Sequence, residues 1–142
     1  MTIHKVCPVI IRETDGRKEI LVFRHPRGDI QIVKGTVEPN ENLENAALRE
    51  LSEESGIENV ASVVFKGTWD TTFENQIWHF YLCNVKQNLP ENWTFFANDD
   101  GGLIFSFFWF DLAKEPTEEW HPLFQGALKY IQTNFFLSYR NS

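Results

Sequence analysis

Long apolar runs are missing from this sequence. No stretch approaches the roughly 18 residues of a membrane-spanning helix, and the N-terminus has no charged, then apolar, then small-residue pattern of a secretory leader. A soluble protein of the cytoplasm is the expectation. Cysteine is scarce: Cys7 and Cys83 both fall in strand-like segments at no metal-ligand spacing, so they read as buried free thiols of a reducing compartment rather than a disulfide. Positive charge is in deficit, with 13 Lys and Arg against 20 Asp and Glu. The resulting −7 argues against a long nucleic-acid partner, whose binding rests on basic side chains neutralising phosphates. A small phosphorylated ligand remains open if a cation brings the positive charge. Repeats, linkers and low-complexity tracts are absent as well, and His4, His25, His79 and His121 show no mutual spacing of a metal site or triad. The 142 residues therefore read as one domain, 1–142, long enough to bury a core without staples.

Aromatic residues are abundant instead, with 13 Phe and 5 Trp. Composition alone does not separate a dense aromatic core from stacking surfaces. Trp69, Phe73, Trp78, Tyr81 and Trp93 are candidates for stacking on a base, although core packing is the better expectation for any single one.

Along the chain, Ile3 to Arg12 is β-branched and reads as a strand, with Pro8 pointing to an edge position or a bulge. Asp15-Gly16 signals a turn, and Glu19 to Phe23 reads as the hairpin partner. The turn-forming cluster from His25 to Asp29 leads to a short strand, Ile30 to Val33. A helix is expected from about Leu43 to Ser55, capped by Asn40 or Asn42 and stopped by Gly56 in the left-handed conformation. Val60 to Phe65 and Gln76 to Val85 read as strands, Gln87 to Gly102 as a long polar loop, and Leu103 to Asp111 as a buried strand. An amphipathic helix from about Thr117 to Tyr139 closes the chain. Hairpins, one helix, more strands and a last helix indicate an α/β sandwich.

The helix from Leu43 carries the chemistry. Glu50, Glu53 and Glu54 stand at i, i+3 and i+4 and share one face, where like charges repel. A divalent cation offsets that repulsion, and Mg²⁺ is typically held by one or two carboxylates together with substrate phosphates. The whole stretch from Gly35 to Ile57, GTVEPNENLENAALRELSEESGI, resembles the Nudix box, G-x5-E-x7-R-E-U-x-E-E-x-G-U with U a bulky aliphatic. Gly35, Glu41, Arg49, Glu50, Leu51, Glu53, Glu54, Gly56 and Ile57 fill every specified position. A chance match is on the order of one in a billion per window.

The resemblance implies an α/β/α sandwich with a mixed sheet between helices. It also implies a hydrolase that cleaves a nucleoside diphosphate linked to another moiety, by water attack on phosphorus with Mg²⁺ or Mn²⁺. In it, Glu50, Glu53 and Glu54 form the metal cluster, joined by a main-chain carbonyl at Lys34 or Gly35, and Glu41 is a supporting partner. The base stays open among Glu50, Glu53 and an outside residue. Arg49 makes an orienting ion pair with a box glutamate, which a guanidinium fork does better than an ammonium. Lys34, Arg24 and Arg27 are candidate phosphate contacts. The family often adds an acid before the aromatic strand that follows the long loop; Leu103 to Phe110 holds none, leaving Asp99 and Asp100, then Glu74 and Glu91, as candidates. A homodimer fits the resemblance. A ligand-sensing Nudix-like module without hydrolysis is the alternative, although such modules usually lose box carboxylates that this chain keeps.

Overall fold

Alternation along the strands and two helix caps account for most of the architecture in the computed structural model, which describes residues 1–98 and 101–136. The strands are β1 (Ile3–Val9), β2 (Ile11–Thr14), β3 (Arg17–Arg24), β4 (Ile30–Gln31), β5 (Gly35–Thr36), β6 (Val60–Asp70), β7 (Gln76–Val85), β8 (Trp93–Ala97) and β9 (Leu103–Asp111). The helices are α1 (Leu43–Ser55) and α2 (Pro122–Asn134). One sheet has the order β5-β1-β7-β6 and is mixed, because β1 and β7 run parallel while the other pairs are antiparallel. The second, β2-β3-β9-β8 with β4 added on β3, is antiparallel. The fold is α/β, with a mixed sheet in the central layers and a helix packed on each of two cores.

Strand periodicity divides those cores. On β1, Cys7 and Val9 enter a cluster with Trp78, Phe80 and the α2 residues Phe124, Leu128 and Ile131. Val6 points the other way, into a cluster with Phe105, Phe107 and the α1 residues Ala46, Ala47 and Leu51. Much of the aromatic content is core: Trp78, Trp120, Phe23, Phe80 and Phe107 are all below 2% exposed. Both cysteines are free and buried, and burial pushes the Cys83 thiol up to about 12 and that of Cys7 still higher.

Helix α1 spans the expected residues because both of its ends are specified. The Asn42 side chain accepts the Asn45 N–H at 2.7 Å, and Asn40 is instead a turn residue with φ 64°. At the other end Gly56, at φ 82°, donates its N–H to the Ser52 carbonyl at 2.9 Å.

Several expectations from sequence need correction. The first strand divides at Ile10 into β1 and β2, which join different sheets. Strand β6 continues to Asp70, passing Gly67 through a register shift at φ 128° rather than stopping at Phe65. The segment expected to be one long loop contains β8, which pairs with β9 from Trp93↔Phe107 to Ala97↔Leu103. Strand β9 is not buried throughout, since Phe105 and Phe107 face the α1 core while Ile104 is 55% exposed. The last helix begins at Pro122, with His121 as its N-cap, because proline suits the first helical position. Its expected end at Tyr139 lies outside the described residues.

Candidate functional site

The box loop and α1 meet through β5. Gly35 pairs with Val6 and places its Cα against the carboxylate of Glu50, about two turns into the helix. A Cβ on Gly35 would overlap the Glu50 side chain, so this position demands glycine for close approach and not for backbone freedom. Its φ is not in the left-handed region.

Arg49 gathers the box. Nε and Nη2 grip the two oxygens of Glu41 at 2.7 and 2.9 Å, and Nη2 also donates to the Thr36 carbonyl at 3.0 Å. Nη1 donates to Glu50 Oε2 at 2.8 Å and Glu53 Oε1 at 3.1 Å. Each of the five guanidinium N–H groups thus has an acceptor, which a lysine with three donors on one nitrogen does not reproduce. The fork ties the loop before α1 to the carboxylate face on it.

The same fork holds Glu41 down to about 2, chiefly through its hydrogen bonds and secondly through the Glu38 backbone. A carboxylate whose pKa is lowered on folding adds stability that is fully present above the ordinary glutamate value of 4.5 and is lost as pH falls towards 2. Replacing Glu41 with Gln is accordingly expected to flatten the decline of the melting temperature across that window. Equal slopes for wild type and variant would contradict the assignment.

A cleft of about 670 Å³ opens beside these groups. Glu50, Glu53, Glu54, Gly35 and Arg49 line it, with Lys34 and Arg27 supplying further positive charge. Glu50 and Glu54 are buried at 9% and 8% exposure, whereas the Glu53 side chain is 58% exposed. The Lys34 ammonium sits 5.5 and 5.7 Å from the ring centroids of Trp78 and Phe124. Burial pushes its pKa below the ordinary lysine range and Lys5 adds to this, while Glu54 and Glu50 oppose it. Arg27 is paired with Asp29 at 2.6 Å. Arg24 lies outside the cleft, where it donates to the Gly28 carbonyl at 2.7 Å.

Of the outside acids, Glu74 lines the cleft, and Glu91 is held elsewhere by the two Nη groups of Arg12 at 2.7 and 2.8 Å. Asp99 and Asp100 lie outside the described residues. One grouping was invisible in the sequence: His4 Nδ1 and His79 Nε2 are 2.9 Å apart, because β1 and β7 are parallel neighbours in a register that spacing does not disclose. They line a separate, mostly apolar cavity of about 500 Å³.

The oxygen donors of α1 suit a hard divalent cation such as Mg²⁺. Among the described residues, however, no three His, Cys, Asp or Glu side chains converge into a cage for a metal ion. Arg49 already occupies part of that face, since one of its nitrogens donates to an oxygen of Glu50 and one of Glu53. The set fits a cation that takes one or two carboxylates here and the rest of its oxygens from elsewhere.

An acidic helix face, an arginine fork and a buried lysine meet at one cleft on a mixed α/β sandwich. The NUDIX domain model matches residues 3–128, and the chain belongs to that family. A curated relative, the NAD-capped RNA hydrolase NudC of Vibrio vulnificus, is 32% identical over 88 residues, 58% of this chain and 33% of that protein. The chain thus spans about a third of this relative's length. Among solved structures, a MutT NUDIX hydrolase from Burkholderia pseudomallei aligns with a TM-score of 0.65 at 23% identity, covering 91% of this chain and 97% of that one. The NUDIX domain of Shewanella oneidensis NrtR, complexed with ADP ribose, aligns at 0.55 and 15% identity over 80% of this chain and 75% of that one.

Proposed function

We propose that the chain is a Mg²⁺-dependent pyrophosphohydrolase, with Mn²⁺ as a substitute, acting on a nucleoside diphosphate linked to another moiety. The observation that carries this reading is the convergence on one cleft of the Gly35–Glu50 contact, the Arg49 fork, the carboxylates of Glu53 and Glu54, and Lys34. The names of the V. vulnificus hydrolase and the ADP-ribose complex agree with a nucleotide-like ligand.

In this reading a cation would be held by one or two of the carboxylates of Glu50, Glu53 and Glu54 together with the Gly35 carbonyl. A cation so held would neutralise charge on the phosphate oxygens that otherwise repels a nucleophile. Lys34 and Arg27 attract the phosphates into the cleft. Arg49 keeps Glu50 and Glu53 oriented, and a carboxylate among Glu50, Glu53 and Glu74 takes the proton of the attacking water. The water oxygen forms a new bond to one phosphorus as the bridging P–O bond of the anhydride breaks, the bridging oxygen leaves on the other phosphate, and the two phosphorylated halves depart.

The test is a panel of nucleoside triphosphates, nucleotide sugars, dinucleoside polyphosphates and coenzyme A, with and without Mg²⁺, scored for phosphate or monophosphate. At least one is expected to be cleaved only when the metal is present. Tight nucleotide binding with no metal-dependent product would instead favour a ligand-sensing module.

A further inference from the structure

Four phenylalanines line the cleft: Phe23, Phe73, Phe105 and Phe124. Three are spent on the core, at 1%, 3% and 3% exposure, while Phe73 is 45% exposed. The other stacking candidates are occupied too. Trp78 is fully buried, Tyr81 is 7% exposed, Trp93 stacks on Phe107 at 5.0 Å, and Trp69 packs on Trp78 at 5.4 Å.

The loop holding Phe73 joins β6 to β7 and is wound in an unusual way. Thr72, Glu74 and Asn75 have φ of 54°, 49° and 59°, left-handed values that cost a non-glycine residue, a β-branched threonine most of all. Side chains fix the turn. Asp70 Oδ1 accepts the Thr72 N–H at 2.9 Å, and Thr71 Oγ1 accepts the Phe73 N–H at 3.0 Å while donating to the Gln76 carbonyl at 2.8 Å. The Asn75 carbonyl takes the Ile3 N–H at 2.8 Å, tying the loop to the end of β1. A large apolar ring at the surface gains little from core packing, so a turn this constrained around it points to a use at the cleft.

Register supplies the distance. Gly35 stands opposite Val6 and Gln76 opposite Ile3, three residues apart on β1. That is roughly 10 Å along the strand and, over two strand spacings, about 10 Å across. Gly35 and Gln76, which flank the two ends of the cleft, are thus about 14 Å apart, a separation of the order of a nucleoside diphosphate's length.

We propose that Phe73 is the stacking platform for the base of the nucleotide whose phosphates meet the carboxylate end, an inference that rests on the nucleotide-diphosphate reading of the cleft. Aromatic faces stack on any base, so the platform favours nucleotides over bare phosphates without choosing among bases.

Binding, not turnover, tests this. Calorimetry in Mg²⁺ with ADP, GDP, CDP, UDP and inorganic pyrophosphate is expected to show wild type binding at least one nucleoside diphosphate more tightly than pyrophosphate. Phe73→Ala should weaken that nucleotide by roughly tenfold or more and leave pyrophosphate unchanged. Phe73→Leu, which keeps bulk but loses the ring, should weaken it likewise, and Phe73→Trp should retain it. Nucleotide affinities unchanged in the Ala and Leu variants would overturn the proposal. So would equal losses for pyrophosphate, or no preference for nucleotides in wild type. Because no product is measured, the outcome stands apart from the question of hydrolysis, which the glutamate variants below decide.

Discussion

Glu54→Gln and Glu50→Gln are each expected to lower kcat at least about a hundredfold on the best-cleaved compound of the panel, with the fold retained. Glutamine keeps the shape of the side chain and removes the charge that anchors a cation. The fold should survive because α1 is held by Ala46, Ala47 and Leu51 and by its two caps, although Glu50→Gln also leaves the 2.8 Å bond from Arg49 Nη1 with a neutral acceptor and lowers the melting temperature somewhat. Steady-state kinetics beside thermal melts separate the two effects. Near-normal rates in folded variants would refute the assigned role.

Gly35→Ala should be nearly as damaging, for a reason of volume rather than charge. The added methyl falls on the Glu50 carboxylate, which Arg49 already holds at 2.8 Å. Either Glu50 turns out of the cleft or β5 moves, and β5 is only two residues long. The expected result is a loss of about a hundredfold in kcat together with about 1–3 kcal/mol of stability from overpacking. A variant with normal kcat would mean that the contact between loop and helix does not position Glu50.

The bounds of α1 were legible in the sequence because each has a local chemical cause, an asparagine cap, which proved to be Asn42, and a left-handed glycine. Strands β7 and β9 were legible from their length and apolar content. Strand β8 was not, because five residues between Asn-Leu-Pro-Glu-Asn and a polar, glycine-bearing stretch acquire their extended form from pairing with β9. The split at Ile10 and the bulge at Gly67 likewise depend on which sheet each segment joins.

At the candidate site, the box named the residues on and around α1, since helical periodicity and the short loop from Gly35 bring them together. It did not show the Arg49 fork as a hub for Glu41, Glu50 and Glu53, nor the burial of Lys34 against Trp78 and Phe124. Arg24 and Arg27 looked equivalent in sequence, yet the turn between them sends only Arg27 to the cleft. Phe73 and Glu74 reach it through a left-handed loop without glycine, which residue preferences do not foresee.

Cation binding itself is the most direct measurement. In a titration with Mn²⁺ followed by electron paramagnetic resonance, in the presence of ADP, wild type is predicted to deplete the free-ion signal, and a Glu50→Gln/Glu54→Gln double variant to leave it standing. Equal uptake by both proteins, or none by wild type, would contradict a metal site on the acidic face of α1.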